Sequence, residues 1–202
     1  MTYLIIFVTA LISVAALYQQ ELFNRLKFNA WMIHEKKQTY RFFTYGLVHA
    51  GWLHLIVNMF VLYSFGGYVE QAFKVIFGSG KGLLNYGMLY VGGIIFATLL
   101  DFGKQKNNPH YDAVGASGAV AAVLFSSILL MPTSTLLIFP IPFPIPAWLF
   151  GILYMIYSVY MSKKGTDNIG HNAHILGAIF GLVLTIMLKP TLVSAFIDQL
   201  FG

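Results

Sequence analysis

What most restricts the fold of this chain is its succession of apolar runs, each near the roughly 20 residues a helix needs to cross a bilayer. The first is Thr2 to Tyr18, ended by Gln19-Gln20-Glu21. The second covers about Gly51 to Phe73 and the third about Gly82 to Leu100, with a short glycine-rich turn between them. The fourth starts at a glycine-flanked serine, Ser117, and stops at Met131-Pro132. The fifth is about Ala147 to Met161, and the sixth, about His171 to Leu188, is stopped by Lys189-Pro190 before a short apolar tail. Composition agrees: 58% of residues are hydrophobic, 9% are charged and mean hydropathy is +0.74, whereas a soluble domain carries roughly 25% charged residues. The expected fold class is all-α, a polytopic membrane helical bundle with six transmembrane helices. It forms a single membrane domain over residues 1–202, with no separate soluble domain. Thr2 to Tyr18 lacks a basic leader and a small-residue cleavage site, so it reads as a retained span.

The connections differ in kind. Glu21 to Val48 mixes Arg25, Lys27, Glu35, Lys36, Lys37 and Arg41 with Leu22, Phe23, Trp31, Phe42 and Phe43. Such a mixture cannot span; it suits a structured excursion lying partly in the membrane interface. Asp101 to Asp112 reads as a polar loop, and Pro140-Ile141-Pro142-Phe143-Pro144-Ile145-Pro146 as extended chain. The formal net charge of +5 sits in these connections, where lipid headgroups account for it without nucleic acid. Cysteine is absent, which excludes disulfides and thiolate metal sites.

Ionisable and hydrogen-bonding groups inside spans are costly and need partners. Because spans alternate in direction, Ser117, His174 and His54, each near the start of an even-numbered span, lie toward one membrane face. Gly115-Ala116-Ser117-Gly118 has two readings. It is a small-residue contact between helices, or it carries a nucleophile at a helix start, where free N–H groups favour negative charge on a reacting oxygen. Gly177 and Gly181 are spaced as GxxxG, and a close approach of spans four and six would also bring His174 toward Ser117. His174 is the candidate general base, its other reading being a hydrogen-bonded packing residue. His54 and Asn58, four apart on one helix face, offer donors to an oxyanion or to a neighbouring helix. His49 and His171 are expected at the interface, and Glu70, far from this face, as an anchor.

Two schemes fail on residue identity. A nucleophile elbow of the α/β-hydrolase kind needs glycine two residues after the serine, and position 119 is alanine. His49, His54, His171 and His174 include no HExxH and no neighbouring carboxylate within the spans, so no metal and no other cofactor is expected.

Six spans, Gly115-x-Ser117-Gly118 at the head of the fourth, His54-x-x-x-Asn58 in the second and Ala173-His174-x-x-Gly177-x-x-x-Gly181 in the sixth together resemble the rhomboid family of intramembrane serine proteases. The resemblance covers nearly the whole chain. It implies Ser117 as nucleophile and His174 as base, with His54, Asn58 and the Ser117 backbone N–H as the oxyanion hole. Gly177 and Gly181 match the family's packing glycines, with Gly115 and Gly118 flanking the serine, and Glu70 matches a polar anchor of the second span. Glu21 to Val48 resembles the family's embedded first loop, with Tyr40-Arg41 where Trp-Arg is usual. Ser162 to Gly170 and the fifth span would form a substrate gate. One departure concerns chemistry: the tyrosine that many members carry four residues after the serine, stacked on the histidine, is Ala121 here.

The resemblance implies cleavage of single-span membrane proteins, with transmembrane substrates and membrane lipid as partners. It also implies a bacterial inner membrane and an active site on the extracytoplasmic side. Basic residues argue for the reverse orientation: Arg25, Lys27, Lys36, Lys37, Arg41, Lys104, Lys106, Lys163 and Lys164 flank the active-site face, against Lys74, Lys81 and Lys189. Two other functions compete: a relative that binds membrane clients without cutting them, and a small transporter, disfavoured because the polar groups gather at one face rather than at the midplane.

Overall fold

Large apolar side chains point outward and polar ones inward, the distribution of a chain whose solvent is lipid. Leu53, Ile56 and Phe60 are exposed, whereas Asn58, Asn85, Ser126 and Thr185 are buried. The computed structural model describes residues 1–136, 143–165 and 170–202. Its helices in order are α1 (Thr2–Tyr18), α2 (Gln20–Leu26), α3 (Ala30–Lys36), α4 (Arg41–Thr44), α5 (Trp52–Phe77), α6 (Ser79–Ala97), α7 (Leu99–Gln105), α8 (Ser117–Leu130), α9 (Ala147–Lys164), α10 (His171–Leu188) and α11 (Thr191–Phe201). Two minimal ribbons accompany them, β1 (Phe28–Asn29) with β2 (Asp112–Ala113) and β3 (Thr135–Leu136) with β4 (Ile145–Pro146), both antiparallel.

By length and composition, three helices among the described residues can cross a membrane: Trp52–Phe77, the continuous stretch Ser79–Gln105, and His171–Leu188. Thr2–Tyr18, Ser117–Leu130 and Thr191–Phe201 are apolar but shorter. The protein is thus an all-α membrane protein whose helices differ in length, with the fourth run short as its sequence bounds imply. The third run does not give way to a loop at Asp101. It continues through α7, where Asp101 is buried and accepts a hydrogen bond from the Tyr111 hydroxyl at 2.7 Å. The apolar tail is a helix, α11, whose exposed Val193, Ile197 and Phe201 recur every four residues and form one apolar face. Pro140 to Pro142 lies outside the described residues, while Ile145–Pro146 is extended against Thr135–Leu136.

The short helix α8 is the centre of the fold. Its residues from Gly118 to Leu129 are buried on every side, as expected of a helix that is apolar all round. Lipid tails are as apolar as leucine, so helices associate by close van der Waals fit rather than by escape from water. Small residues supply that fit on both flanks of α8. On one side, a Cβ at Gly93 of α6 would stand 2.8 Å from the Ala119 Cα. On the other, a Cβ at Gly177 of α10 would stand 2.9 Å from the Gly118 Cα, and one at Gly181 would stand 2.6 Å from the Ala122 Cα. Backbone therefore touches backbone along the α8–α10 seam.

At the far end of α5 the buried Glu70 collects the start of α1. Its carboxylate accepts from the Met1 amino group (3.0 Å), the Thr2 backbone N–H (2.8 Å) and Lys74 (2.6 Å), and the Thr2 hydroxyl lies 2.8 Å from both Glu70 Oε2 and the Tyr86 hydroxyl. A buried carboxylate with this many donors keeps its charge inside a helical bundle.

The segment between α1 and α5 is folded. Arg41 is buried and its guanidinium is held by three hydrogen bonds: Nη1 donates to the Asn24 and Lys27 carbonyls (2.9 and 2.6 Å) and Nε to Gln38 Oε1 (2.7 Å). The Asn29 side chain caps α3 by accepting from the Met32 N–H at 2.8 Å. Through β1 the same segment pairs with β2, placing Phe28 opposite Ala113 and Asn29 opposite Asp112.

Candidate active site

Ser117 is the first residue of α8, where the backbone N–H groups have no acceptor within the helix and the dipole is positive. Gly115 sets up this turn. Its φ of 109° lies in the left-handed region, and a Cβ there would stand 2.7 Å from Nε2 of His54, so only glycine fits. The same contact locates His54, half-buried, against the residue two positions before the serine.

The chain leading into Ser117 is held by the first loop at successive residues. Lys27 pairs with Asp112 at 2.7 Å, and the Asn29 amide donates to Asp112 Oδ1 at 3.0 Å and to the Pro109 carbonyl at 2.9 Å. The Gly115 N–H donates to the Tyr45 carbonyl at 3.0 Å, while the Tyr45 hydroxyl reaches the Ile94 carbonyl on α6 at 2.6 Å. The Ala116 N–H donates to His49 Nε2 at 3.3 Å. Since Nε2 accepts, the proton of neutral His49 is on Nδ1, which donates to the Ser13 hydroxyl of α1 at 3.1 Å. His49 thus ties α1, the first loop and the serine turn together.

This corrects the sequence expectation for His49. It is fully buried rather than interfacial, and burial, with His54 second, pulls its pKa from 6.5 down to about 3. His171 is corrected likewise: it is buried, with its ring 5.7 Å from Tyr157 and 5.8 Å from His174. His49 lies in the connection three residues before α5, with its ring 4.9 Å from that of His54 and edge to face. Nothing in the local sequence named Ala116 or Ser13 as its partners.

Asn58 is buried, and its amide donates to the His54 carbonyl at 2.8 Å, which occupies one of its two N–H groups. His174 is half-buried in the first turn of α10. Beside it, the Ala173 carbonyl lies 3.3 Å from where a Cβ at Gly118 would be, so the first turn of α10 adjoins the first turn of α8. The ring facing His174 comes from Tyr154 of α9, with centroids 6.0 Å apart and planes at 27°. Ala121 is buried in the cluster of small and apolar residues against which Tyr154 packs. Gly177 and Gly181 lie on the α8 seam, and Glu70 and Arg41 lie away from the serine in the polar clusters described above. Of the loop Ser162 to Gly170, residues 166–169 lie outside the described residues. Among the described residues no group of three or more His, Asp or Glu is placed to hold a metal.

Fold and site together define a class: an all-helical membrane protein built around a short buried helix that begins at a glycine-flanked serine. Residues 36–191 match the rhomboid domain, and the chain belongs to the rhomboid family. It is similar to RHOMBOID-like protein 12, mitochondrial, of Arabidopsis thaliana, 28% identical over 132 residues, covering 62% of this chain and 39% of that protein. It is also similar to Rhomboid-like protein 11, chloroplastic, of the same plant, 29% identical over 183 residues, covering 84% of this chain and 59% of that protein. The chain therefore spans less than two thirds of the length of either relative.

Proposed function

We propose that this protein is an intramembrane serine endopeptidase that cleaves single-span membrane proteins with a Ser117–His174 dyad. The observation that carries the reading is the glycine contact of α10 on α8, which sets the first turn bearing His174 beside the first turn bearing Ser117. In this mechanism His174 takes the Ser117 hydroxyl proton as Oγ attacks the scissile carbonyl. The tetrahedral oxyanion is stabilised by the Ser117 backbone N–H, the second N–H of Asn58 and His54. Collapse breaks the C–N bond, and His174 returns the proton to the leaving amine. Water then attacks the acyl-enzyme with His174 again as base, releasing a carboxylate and restoring Ser117. The substrate span enters between α5 and α9, with Ser162 to Gly170 and α9 as the gate.

The proposed topology has six spans, α1, α5, α6 with α7, α8, α9 and α10, in a bacterial inner membrane with Ser117 toward the extracytoplasmic side. Many of the basic residues on that side belong to the folded first loop, where Arg41 is buried against backbone carbonyls and Lys27 is paired with Asp112. The test of the catalytic reading is cleavage of a single-span reporter by purified protein in lipid. Wild type cleaves, and Ser117→Ala and His174→Ala do not, although both fold. Asn58→Ala retains partial activity, since losing one oxyanion donor costs about 10²- to 10³-fold. Equal cleavage by wild type and Ser117→Ala contradicts the reading.

A further inference from the structure

His174 has two rings near its own: His171 of the same helix, edge to face at 5.8 Å, and Tyr154 of α9, stacked at 6.0 Å. The one that lies against the imidazole face is Tyr154. α9 turns Ala147, Gly151 and Ser158, all buried, toward the bundle. These fall at the four-three-four spacing of one helix face, and the position that completes the pattern is Tyr154. The small residues let α9 close on α8: a Cβ at Gly151 would stand 3.2 Å from Ile128 and 3.6 Å from Phe125. Into the space beside Ala121 and Ala178 goes the one large ring on this face. That ring is itself wedged, tilted against Phe125 of α8 at 5.6 Å and against Phe150 of its own helix at 5.8 Å. Its remaining face is nearly parallel to the His174 imidazole, at a separation within the offset-stacking range.

We infer that Tyr154 is a positioning residue for His174, holding the imidazole by its ring face and filling from α9 the place that Ala121 leaves open on α8. This rests on the proposed role of His174 as base. It makes the orientation of the base depend on α9 lying close to α8 and α10, because the stacking ring and the base belong to different helices. An imidazole free to rotate would present its nitrogens to Ser117 for only part of the time, a loss that falls on turnover rather than on substrate binding. The ring, not the hydroxyl, carries this role, so phenylalanine replaces tyrosine and an aliphatic side chain does not.

The experiment compares wild type, Tyr154→Phe, Tyr154→Leu and Ser117→Ala on the single-span reporter, with kcat, KM and thermal midpoint measured for each. Tyr154→Met takes the place of Tyr154→Leu if the latter does not purify folded. The expected result is that Tyr154→Phe keeps kcat within about threefold of wild type, whereas the aliphatic variant loses about ten- to a hundredfold in kcat with little change in KM. The inference is overturned if the folded aliphatic variant keeps wild-type kcat, if Phe and Leu lose kcat equally, or if the loss is in KM alone. Failure of the dyad itself is read separately, from wild type and Ser117→Ala cleaving alike.

Discussion

His49 shows how a single buried side chain can hold the turn before Ser117. It accepts the last N–H before the serine and donates to α1, and the first of these bonds requires the neutral ring. Its pKa in the fold, about 3, lies below the ordinary 6.5, so between those values the unfolded chain binds a proton that the folded protein refuses. The stability this contributes is present above about pH 6.5 and is lost as pH falls toward 3, at no more than about 1.4 kcal/mol per pH unit. Thermal melting from pH 7 to pH 4 should show this slope in wild type and a shallower one in His49→Leu. At pH 7 that variant should be about 1–3 kcal/mol less stable, because the Ala116 N–H is left unsatisfied. An identical slope in both proteins contradicts the assignment. The burial of His49 was hidden in the sequence because it precedes its apolar run and its partner Ala116 is 67 residues away.

Between elements, the α8–α10 seam sets the tolerance of the site. Alanine at Gly177 would push its methyl into the Gly118 backbone, which has no flexible end to yield. Gly177→Ala should therefore lower stability by about 1–3 kcal/mol and reduce reporter cleavage, as α10 is levered off the serine turn. At Gly103 on α7 an added methyl would meet nothing within 4 Å, and Gly103→Ala should be neutral or stabilising by up to about 1 kcal/mol. Urea or thermal unfolding of the two variants decides this, and equal effects would contradict the packing argument. The seam was legible in advance as GxxxG facing Gly-Ala-Ser-Gly. The grip of the first loop on the serine turn was not, because it is made through backbone groups of Gly115 and Ala116 and a two-residue ribbon, which leave no periodic trace.

Across the whole protein, apolar run length located the long helices well, since hydropathy is a local property. It misjudged the ends where burial is tertiary, as at Asp101, which stays helical because Tyr111 satisfies it inside the fold. The ring on His174 was equally out of reach: Tyr154 is one of 12 tyrosines, and only the packing of α9 distinguishes it. The absence of cysteine makes topology directly measurable. Single cysteines at the exposed Lys106 and Ser79 should react with an impermeant maleimide from opposite sides of intact cells, Lys106→Cys from outside and Ser79→Cys only after lysis. The reverse pattern would invert the proposed orientation. Whether Ser117 is the nucleophile can be read by treating the purified protein with a fluorophosphonate and mapping the adduct by mass spectrometry. One adduct is expected, on Ser117, forming far more slowly in His174→Ala; no adduct, or an adduct on another serine, would contradict the Ser117–His174 dyad.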